Sequence, residues 1–332
     1  MKPLLCVSML FSALLVVAGL SVWMGPVDLT SIQIFEVLKG EGSPENQYIV
    51  KHIRGPRTVL AILVGGGLAL AGAVFQALLR NPLAEPYILG ISSGAATGAV
   101  LVLSLGLVAT QSWILPVAAF SGSLLAISIV LAVASNHSQK IDMRVLLLAG
   151  VVTGAFFSAC ISLILILSDA PNLRSAVVWM MGSLSGVEWS TVVIVSAYTL
   201  PCVIILFSLA RPLNLLAIGE ETANYLGARV EKVKITGYIV ASLMTAAGVA
   251  ATGIIGFVGL IVPHGIRLLI GNDYRILLPL CFLSGAIFLT VADTLSRILI
   301  APVEIPVGIV TALFGVPAFL WLLRRNMKAG RS

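Results

Sequence analysis

Long apolar stretches separated by short polar intervals dominate the hydropathy pattern of the chain. A membrane core ~30 Å thick needs ~20 apolar helical residues, because each residue of an α-helix rises ~1.5 Å. By this measure the pattern predicts an all-α polytopic membrane bundle of about ten spans, forming one transmembrane domain over residues 1–332. The predicted spans are 4–24, 58–79, 90–108, 113–134, 144–168, 190–209, 234–255, 257–270, 276–299 and 305–323.

Composition excludes the soluble classes of protein. Hydrophobic residues make up 59% of the chain and charged residues 10%, which is too little polar surface for a water-soluble globule of this size. The net charge of +6 comes from residues scattered at the span ends, so no nucleic-acid partner is indicated. The four cysteines are isolated in apolar runs and are expected to be free thiols, with no metal site.

The distribution of Lys and Arg predicts the orientation, because cytoplasmic loops of membrane proteins carry an excess of these residues. With both termini cytoplasmic, 14 of the 20 Lys and Arg residues fall on the inner side and six on the outer side. The first apolar run is longer than the ~7–15 residues of a signal-peptide core, and we expect it to be retained as a span.

Two stretches interrupt the spans at corresponding places in the two halves of the chain. Asn81–Pro86 follows the second predicted span, whereas Gly253, Gly256 and Pro263 punctuate the seventh and eighth. Paired Gly/Pro breaks are typical of inverted-repeat transporters, since irregular backbone at membrane depth is tolerated only beside protein or a water-filled cavity. Kinked packing helices rich in small residues are the alternative interpretation.

A cluster of cations lies on the outer side, against the charge rule. Lys51, Arg54 and Arg57 fall within seven residues, and Pro56 stiffens the entry of this segment into the membrane. The planar fork of arginine suits bidentate binding of a partner's carboxylates. Contact with lipid headgroups is the alternative role.

The inner loop 211–229 predicts a short amphipathic helix. Glu220 and Glu221 suit a helix beginning, and Gly227 suits a C-terminal cap. Ala223 and Leu226 are expected on one face, with Gly219 behind them, so that the loop forms a compact knob for a groove on a cytoplasmic protein. A helix resting on lipid headgroups is the alternative.

Few ionisable residues lie within the predicted spans. Asp293 and Arg297 are four positions apart, acid before base, and are expected to form a structural pair near the outer interface. His264 is expected to pack with a local hydrogen bond. The chain has no G-x-x-x-x-G-K-[ST] phosphate loop, so any ATP that drives it must be bound by another subunit.

Taken together, these motifs resemble the FecCD-type permease subunits of ABC importers for iron–siderophore complexes, haem and vitamin B12. The resemblance covers nearly the whole chain. The matching segments are Ile53–Thr58, Arg80–Pro86, Leu146–Gly150, Trp179–Gly182, Leu215–Glu220, Gly256–His264, Ala292–Asp293 and Ile305–Gly308.

The resemblance implies a type II ABC importer permease of ten spans in the plasma (inner) membrane of a bacterium or archaeon. Its expected partners are a second permease copy or paralogue, two cytoplasmic ATP-binding subunits and a substrate-binding protein. No cofactor is expected in this chain, because ATP and Mg would be bound by the ATPase. Family arginines that match Arg54, Arg57 and Arg297 contact acidic residues on the binding protein.

The resemblance also implies roles at the cytoplasmic side. Residues that match the family's ATPase coupling helix are Gly219, Glu220, Glu221, Ala223, Leu226 and Gly227. Residues that match the cytoplasmic gate are Asn81, Leu83, Ile141, Asp142 and Met143, the last three replacing a small polar segment of the vitamin B12 permease. An ion-coupled secondary transporter and a membrane subunit without transport activity are the alternatives from other classes.

Overall fold

A computed structural model describes residues 3–109, 111–135 and 141–329 of the chain. Lys2, Lys140 and Arg331, which the inner charge count includes, lie outside the described residues. A π-helical turn (Ile49–Arg54) precedes α4, and 3₁₀ turns cover Pro86–Leu89 and Leu107–Ala109. The α-helices are α1 (Pro3–Trp23), α2 (Ser31–Lys39), α3 (Pro44–Tyr48), α4 (Gly55–Leu78), α5 (Ile91–Ser104), α6 (Ile114–Ala134), α7 (Met143–Ile166), α8 (Ala170–Met180), α9 (Trp189–Ser208), α10 (Ala210–Ile218), α11 (Glu220–Tyr225), α12 (Val230–Thr252), α13 (Val258–Ile270), α14 (Tyr274–Ile298) and α15 (Val307–Ala329).

Every predicted span has a helix at its position, with ends that differ by a few residues. Seven helices of the described chain are long and apolar enough to cross a membrane. Three apolar helices are shorter, namely α5, α13 and the apolar part of α15 (Val307–Leu322). The 14 residues of α5 and the 13 of α13 reach only ~20 Å. The short helix predicted at 257–270 is confirmed, and α5 is shorter than the span predicted at 90–108.

The helix α4 forms the centre of the bundle and packs against α9, α12, α13 and α14. Close approach to α14 depends on two facing glycines: a Cβ added to Gly65 would lie 2.4 Å from the carbonyl oxygen of Gly285. A Cβ added to Gly285 would lie 2.4 Å from the carbonyl oxygen of Gly65. Small residues thus let the backbones touch, the usual basis of helix packing in membranes.

The two functional regions predicted from the sequence lie at opposite ends of α4. Arg54 directly precedes the first residue of this helix, whereas Arg80, just beyond its last residue, donates a 3.1 Å hydrogen bond to the carbonyl of Leu216 in α10. The 24 residues of α4 separate these ends by ~36 Å. We call the end with Arg54 the outer end and the end with α10 and α11 the inner end.

The two breaks predicted from Gly and Pro meet inside the bundle. One break (residues 79–90) follows the inner end of α4, and the other (residues 253–257) follows the outer end of α12. The Tyr87 hydroxyl donates to the carbonyl of Ile255 at 2.8 Å and accepts from its N–H at 3.2 Å. A carboxylate oxygen of Glu85 accepts from the N–H of Phe257 at 2.9 Å. Side chains of the first break therefore satisfy the exposed backbone of the second.

Each break also contains a residue in a left-handed backbone conformation. Arg80 has φ 48° and Phe257 has φ 70°, and among the described residues these are the two non-glycine positions with positive φ. Such a conformation costs a residue with a side chain on the order of 1–3 kcal/mol and persists only where the surroundings hold it. Within the described ranges, both non-glycine residues with positive φ thus lie in the two corresponding breaks.

Candidate functional site

Four charged side chains at the outer end form a buried network, which we call the outer cluster (Arg57, Asp293, Arg297 and Glu304). Arg57 in α4 donates from Nε to Asp293 at 2.9 Å and from Nη1 to Glu304 at 2.8 Å. Asp293 in α14 is fully buried and also pairs with Arg297 at 3.3 Å, one helical turn later. The predicted pairing of Asp293 with Arg297 is confirmed, and the structure adds Arg57 as a second cation on the same carboxylate.

Two arginines hold the end of α1. The guanidinium of Arg297 donates to the carbonyls of Ser21 and Met24 at 3.0 and 3.2 Å. Arg54 donates to the carbonyls of Val22 and Trp23 at 2.9 and 2.6 Å. The last carbonyls of a helix lack intrahelical partners and carry partial negative charge, so cations are favoured there.

The three arginines predicted to dock a binding protein are therefore buried. Arg54, Arg57 and Arg297 are 2%, 5% and 2% exposed. Their guanidinium groups are bonded to carboxylates and backbone carbonyls of this chain. Glu304 is the more accessible member of the outer cluster, with its side chain 33% exposed. Contact between these arginines and a partner stays a prediction.

At the inner end, the predicted helix of the loop 211–229 is two short helices. Gly219, with φ 140°, separates α10 from α11, and Glu220 and Glu221 lie in the first turn of α11 as expected. Gly227 has φ 84°, and the N–H of the following Ala228 bonds back to the carbonyl of Ala223 at 2.9 Å. This geometry confirms Gly227 as the residue that ends the helix.

The knob has a different exposed face from the one expected. Ala223 is fully buried whereas Leu226 is 60% exposed, so these two residues do not share a face. The helix is interrupted at Gly219, so α10 and α11 do not share one continuous face. The large apolar residues exposed here are Ile218, Tyr225 and Leu226, and we call these three residues the tip. Tyr225 is 91% exposed.

The knob is braced against the bundle by polar contacts of α10. Asn214 donates to Asp273 at 2.6 Å and accepts from the N–H of Tyr274 at 2.9 Å, which ties α10 to the start of α14. The hydrogen bond from Asn214 lowers the pKa of the Asp273 carboxyl, with the N–H of Arg275 adding to the effect. These two bonds fix α10 against the start of α14.

The predicted gate residues occupy two inner loops. The side-chain oxygen of Asn81 accepts from the N–H of Leu83 at 2.9 Å, and Leu83 is 44% exposed. The second loop, Ile141–Met143, is called the gate segment: Ile141 is buried, and Asp142 caps α7 by accepting from the N–H of Arg144 at 2.8 Å.

A polar cavity of about 800 Å³ lies beside the gate segment. Its lining includes all three residues of the gate segment together with Arg80, Glu220, Glu231 and Lys234. The structure therefore brings the gate segment next to α11, the helix predicted to contact an ATPase. Asn81 and Leu83 follow Arg80 in the chain but do not line this cavity.

The sequence analysis missed two residues that organise these regions. Glu304 was not considered because it lies in an outer loop, 247 residues from its partner Arg57. Lys234 was counted only as an inner charge, although its i,i+3 spacing from Glu231 was a signal for a helical ion pair. Both residues bond to elements far away in the sequence.

Comparison with known proteins identifies the family. The FecCD transport family profile matches residues 13–325. The chain belongs to this family. It is 40% identical over 334 residues to the hemin transport system permease protein HmuU of Yersinia pestis, covering 98% of this chain and 97% of that one. It is 39% identical over 335 residues to the vitamin B12 import system permease protein BtuC of Escherichia coli, covering 99% and 95%.

A solved structure supports the same assignment. The fold matches an inward-facing conformation of a protein assigned as a metal-chelate type ABC transporter, with a TM-score of 0.87 and 33% sequence identity. The match covers 96% of this chain and 98% of the other. The chain is therefore a multi-span membrane permease and a transport subunit rather than an enzyme, as the sequence predicted.

Proposed function

We propose that this permease carries a large metal chelate of the haem, cobalamin or ferric-siderophore class into the cytoplasm, driven by ATP that a separate subunit hydrolyses. The observation that carries the proposal is the tip, where an apolar surface projects from a polar inner loop. Exposed Tyr225 and Leu226 fit a groove on a cytoplasmic ATPase better than a lipid headgroup layer, because Glu220 and Glu221 beside them disfavour an anionic membrane surface.

The substrate class is supported by the relatives. Hemin and vitamin B12 are named in the two permeases that align with this chain over nearly its whole length, and the structural neighbour is of the metal-chelate type. Selection among these chelates is expected to lie mainly in the binding protein. We propose that a substrate-binding protein delivers the chelate to the outer end and that both chain termini are cytoplasmic.

A second permease copy or paralogue is part of the proposal. The helix α7 exposes a row of large apolar side chains that includes Val152, Phe156 and Leu163. With α15, this face is proposed to line a pathway between two permease subunits. Movement of the tip with the ATPase would open the pathway to alternate sides, because ATP favours the state to which the closed ATPase binds more tightly.

The structure disfavours an ion-coupled secondary transporter, because the main candidate for its ion-binding residue is already paired within the chain. Asp293, which would have to exchange a proton or bind sodium, contacts Arg57 and Arg297 at 2.9 and 3.3 Å and is fully buried. Both of its carboxylate oxygens contact guanidinium groups of this chain, so neither is free to coordinate a transported ion. This geometry favours the ATP-driven mechanism.

Reconstitution tests the proposed function. Proteoliposomes containing the permease with its ATPase and binding protein are supplied with labelled hemin, cyanocobalamin or a ferric siderophore. We expect uptake of one chelate that requires ATP and the binding protein. Uptake driven by a proton or sodium gradient in the absence of the ATPase would contradict the proposal, as would ATP-dependent uptake that ignores the binding protein.

A further inference from the structure

Lys234 is a buried cation at the inner end that joins three separate elements. Its side chain is 4% exposed, and its ammonium group lies 2.5 Å from Glu220 of α11 and 3.0 Å from Glu231 of α12. The same ammonium donates to the carbonyl of Ile141 in the gate segment at 3.2 Å. All three donor positions of the lysine are thus directed at an acceptor.

The gate segment is held by this ion cluster through its backbone. Ile141 receives the Lys234 bond at its carbonyl, and its N–H donates to Glu231 at 2.9 Å. Both polar backbone groups of one buried residue are therefore fixed by two side chains one turn apart on α12. Any displacement of Lys234 must move Ile141 or break these bonds.

Ile141 in turn fixes the beginning of α7. It forms a bridge with Ser135 at the end of α6, and the next residue, Asp142, caps α7. The helix α7 exposes one face of this chain along its length, with Leu148, Val152 and Phe156 about 60% exposed. The cluster consequently contributes to fixing the inner end of α7.

The Glu220 contact differs from the Glu231 contact because Glu220 lies on another helix, whereas Glu231 is three residues from Lys234 on α12. Glu220 is 41% exposed at its side chain and hydrates readily when it leaves, whereas Lys234 keeps Glu231 as a counter-charge. A buried cation stripped of every partner would be strongly destabilising, but this arrangement avoids that state. Two discrete arrangements, with Glu220 bound or released, are what a switching element requires.

We propose that Lys234 is the positioning residue that carries movement of α11 to the gate segment, an inference that rests on the proposed ATP-driven function. When the ATPase displaces α11, the Glu220–Lys234 contact pulls on or releases the cluster. The gate segment and the start of α7 then shift with it. Lys234 touches no substrate and acts through Ile141.

Coupling efficiency tests this role in the complete transporter, measured as chelate molecules imported per ATP hydrolysed. Glu220→Gln removes the charge of the α11 contact, which weakens it, and leaves the Lys234–Glu231–Ile141 contacts in place. We expect ATP hydrolysis to continue while import per ATP falls about tenfold, within the ~5–150-fold range of ordinary site-to-site coupling. Lys234→Met should lower import per ATP by the same factor. Lys234→Arg, which keeps the positive charge, should retain most of the wild-type import per ATP.

Lys232 supplies the matched control, because it is a solvent-exposed lysine two residues away on the same helix. Lys232→Met should leave import per ATP unchanged. If Glu220→Gln imports as much chelate per ATP as the wild type, or if Lys232→Met uncouples as strongly as Lys234→Met, the inference is overturned.

Hydrogen exchange provides a readout that does not depend on transport. In nanodiscs containing the permease alone, Lys234→Met should accelerate exchange of the amides of 141–146, while Lys232→Met should not. With the ATPase bound, nucleotide should change exchange in this segment in the wild type but not in Glu220→Gln. If Lys234→Met leaves exchange of the amides of 141–146 unchanged, Lys234 does not hold the gate segment, whatever the import result. If the wild type fails to import chelate with ATP, the proposed function is refuted. The exchange result then still decides whether Lys234 holds the gate segment.

Discussion

The crossing of α4 and α13 at Gly72 gives a sharp test of how the second break is held in place. Gly259, the second residue of α13, lies very close to Gly72. A Cβ added to Gly72 would be 1.9 Å from the carbonyl oxygen of Gly259. Gln76, one turn further along α4, donates to the carbonyls of Gly259 and Leu260 at 3.4 and 3.3 Å. The variant Gly72→Ala perturbs both contacts at once.

The expected loss follows from these distances. Ordinary contact begins at 3.4 Å, so α4 and α13 must separate by about 1.5 Å to accept the methyl group. Overpacking of this kind costs ~1–3 kcal/mol, and loss of the two Gln76 hydrogen bonds to α13 costs ~0.5–1.5 kcal/mol each, although Gln76 keeps its bond to the Ala84 carbonyl. Alanine also restricts the unfolded chain more than glycine does, which recovers ~0.4–1 kcal/mol of the free energy of unfolding.

Gly265→Ala is the matched control, because a Cβ added to Gly265 in the same helix α13 meets nothing within 4 Å. Its unfolded chain stiffens by the same amount, so the difference between the two variants isolates the crossing, at ~2–6 kcal/mol. Thermal unfolding in detergent, followed by tryptophan fluorescence and size exclusion, should separate their midpoints by ~4–12 °C at ~2 °C per kcal/mol. Equal midpoints would show that the backbones are not in contact at Gly72.

Three further outcomes are expected. Asp293→Asn should destabilise the permease by ~3–5 kcal/mol, because it leaves buried arginines without one of their counter-charges. Glu304→Gln, at a partly exposed site, should cost ~1 kcal/mol or less. Thermal unfolding midpoints compare the two variants, and similar losses would contradict the argument from burial. If an acidic binding protein competes with Glu304 for Arg57, Glu304→Gln should tighten its docking and steepen the salt dependence measured by surface plasmon resonance, and weaker docking would exclude this exchange. Replacing Tyr225 and Leu226 together by Ala should abolish copurification of the ATPase without lowering the thermal midpoint, and unchanged copurification would rule out the tip as the contact.

Local sequence patterns predicted the parts of the fold that depend on local physics. The apolar runs located the helices, because a spanning helix must cover its backbone polar groups with a continuous apolar surface. Proline and glycine located both breaks, and Gly227 marked the end of α11. The i,i+4 spacing of Asp293 and Arg297 predicted their pairing on one helix.

Contacts between distant parts of the chain escaped the sequence analysis. Arg57 and Asp293 are 236 residues apart, so no local pattern reveals that an apparently outward-facing arginine is paired inside the bundle. The exposure of Leu226 but not Ala223 depends on the turn at Gly219, which a single-helix interpretation of the loop does not contain.

The attachment of α1 has a consequence for how the polypeptide is assembled during synthesis. Its terminal carbonyls accept first from Arg54, which emerges soon afterwards, and then from Arg297, which is 276 residues beyond Ser21. Until α14 has been synthesised, α1 lacks its bonds to Arg297 and is held by Arg54, Thr58 and contacts with α4. The attachment of α1 is therefore completed only when a helix far along the chain has been inserted.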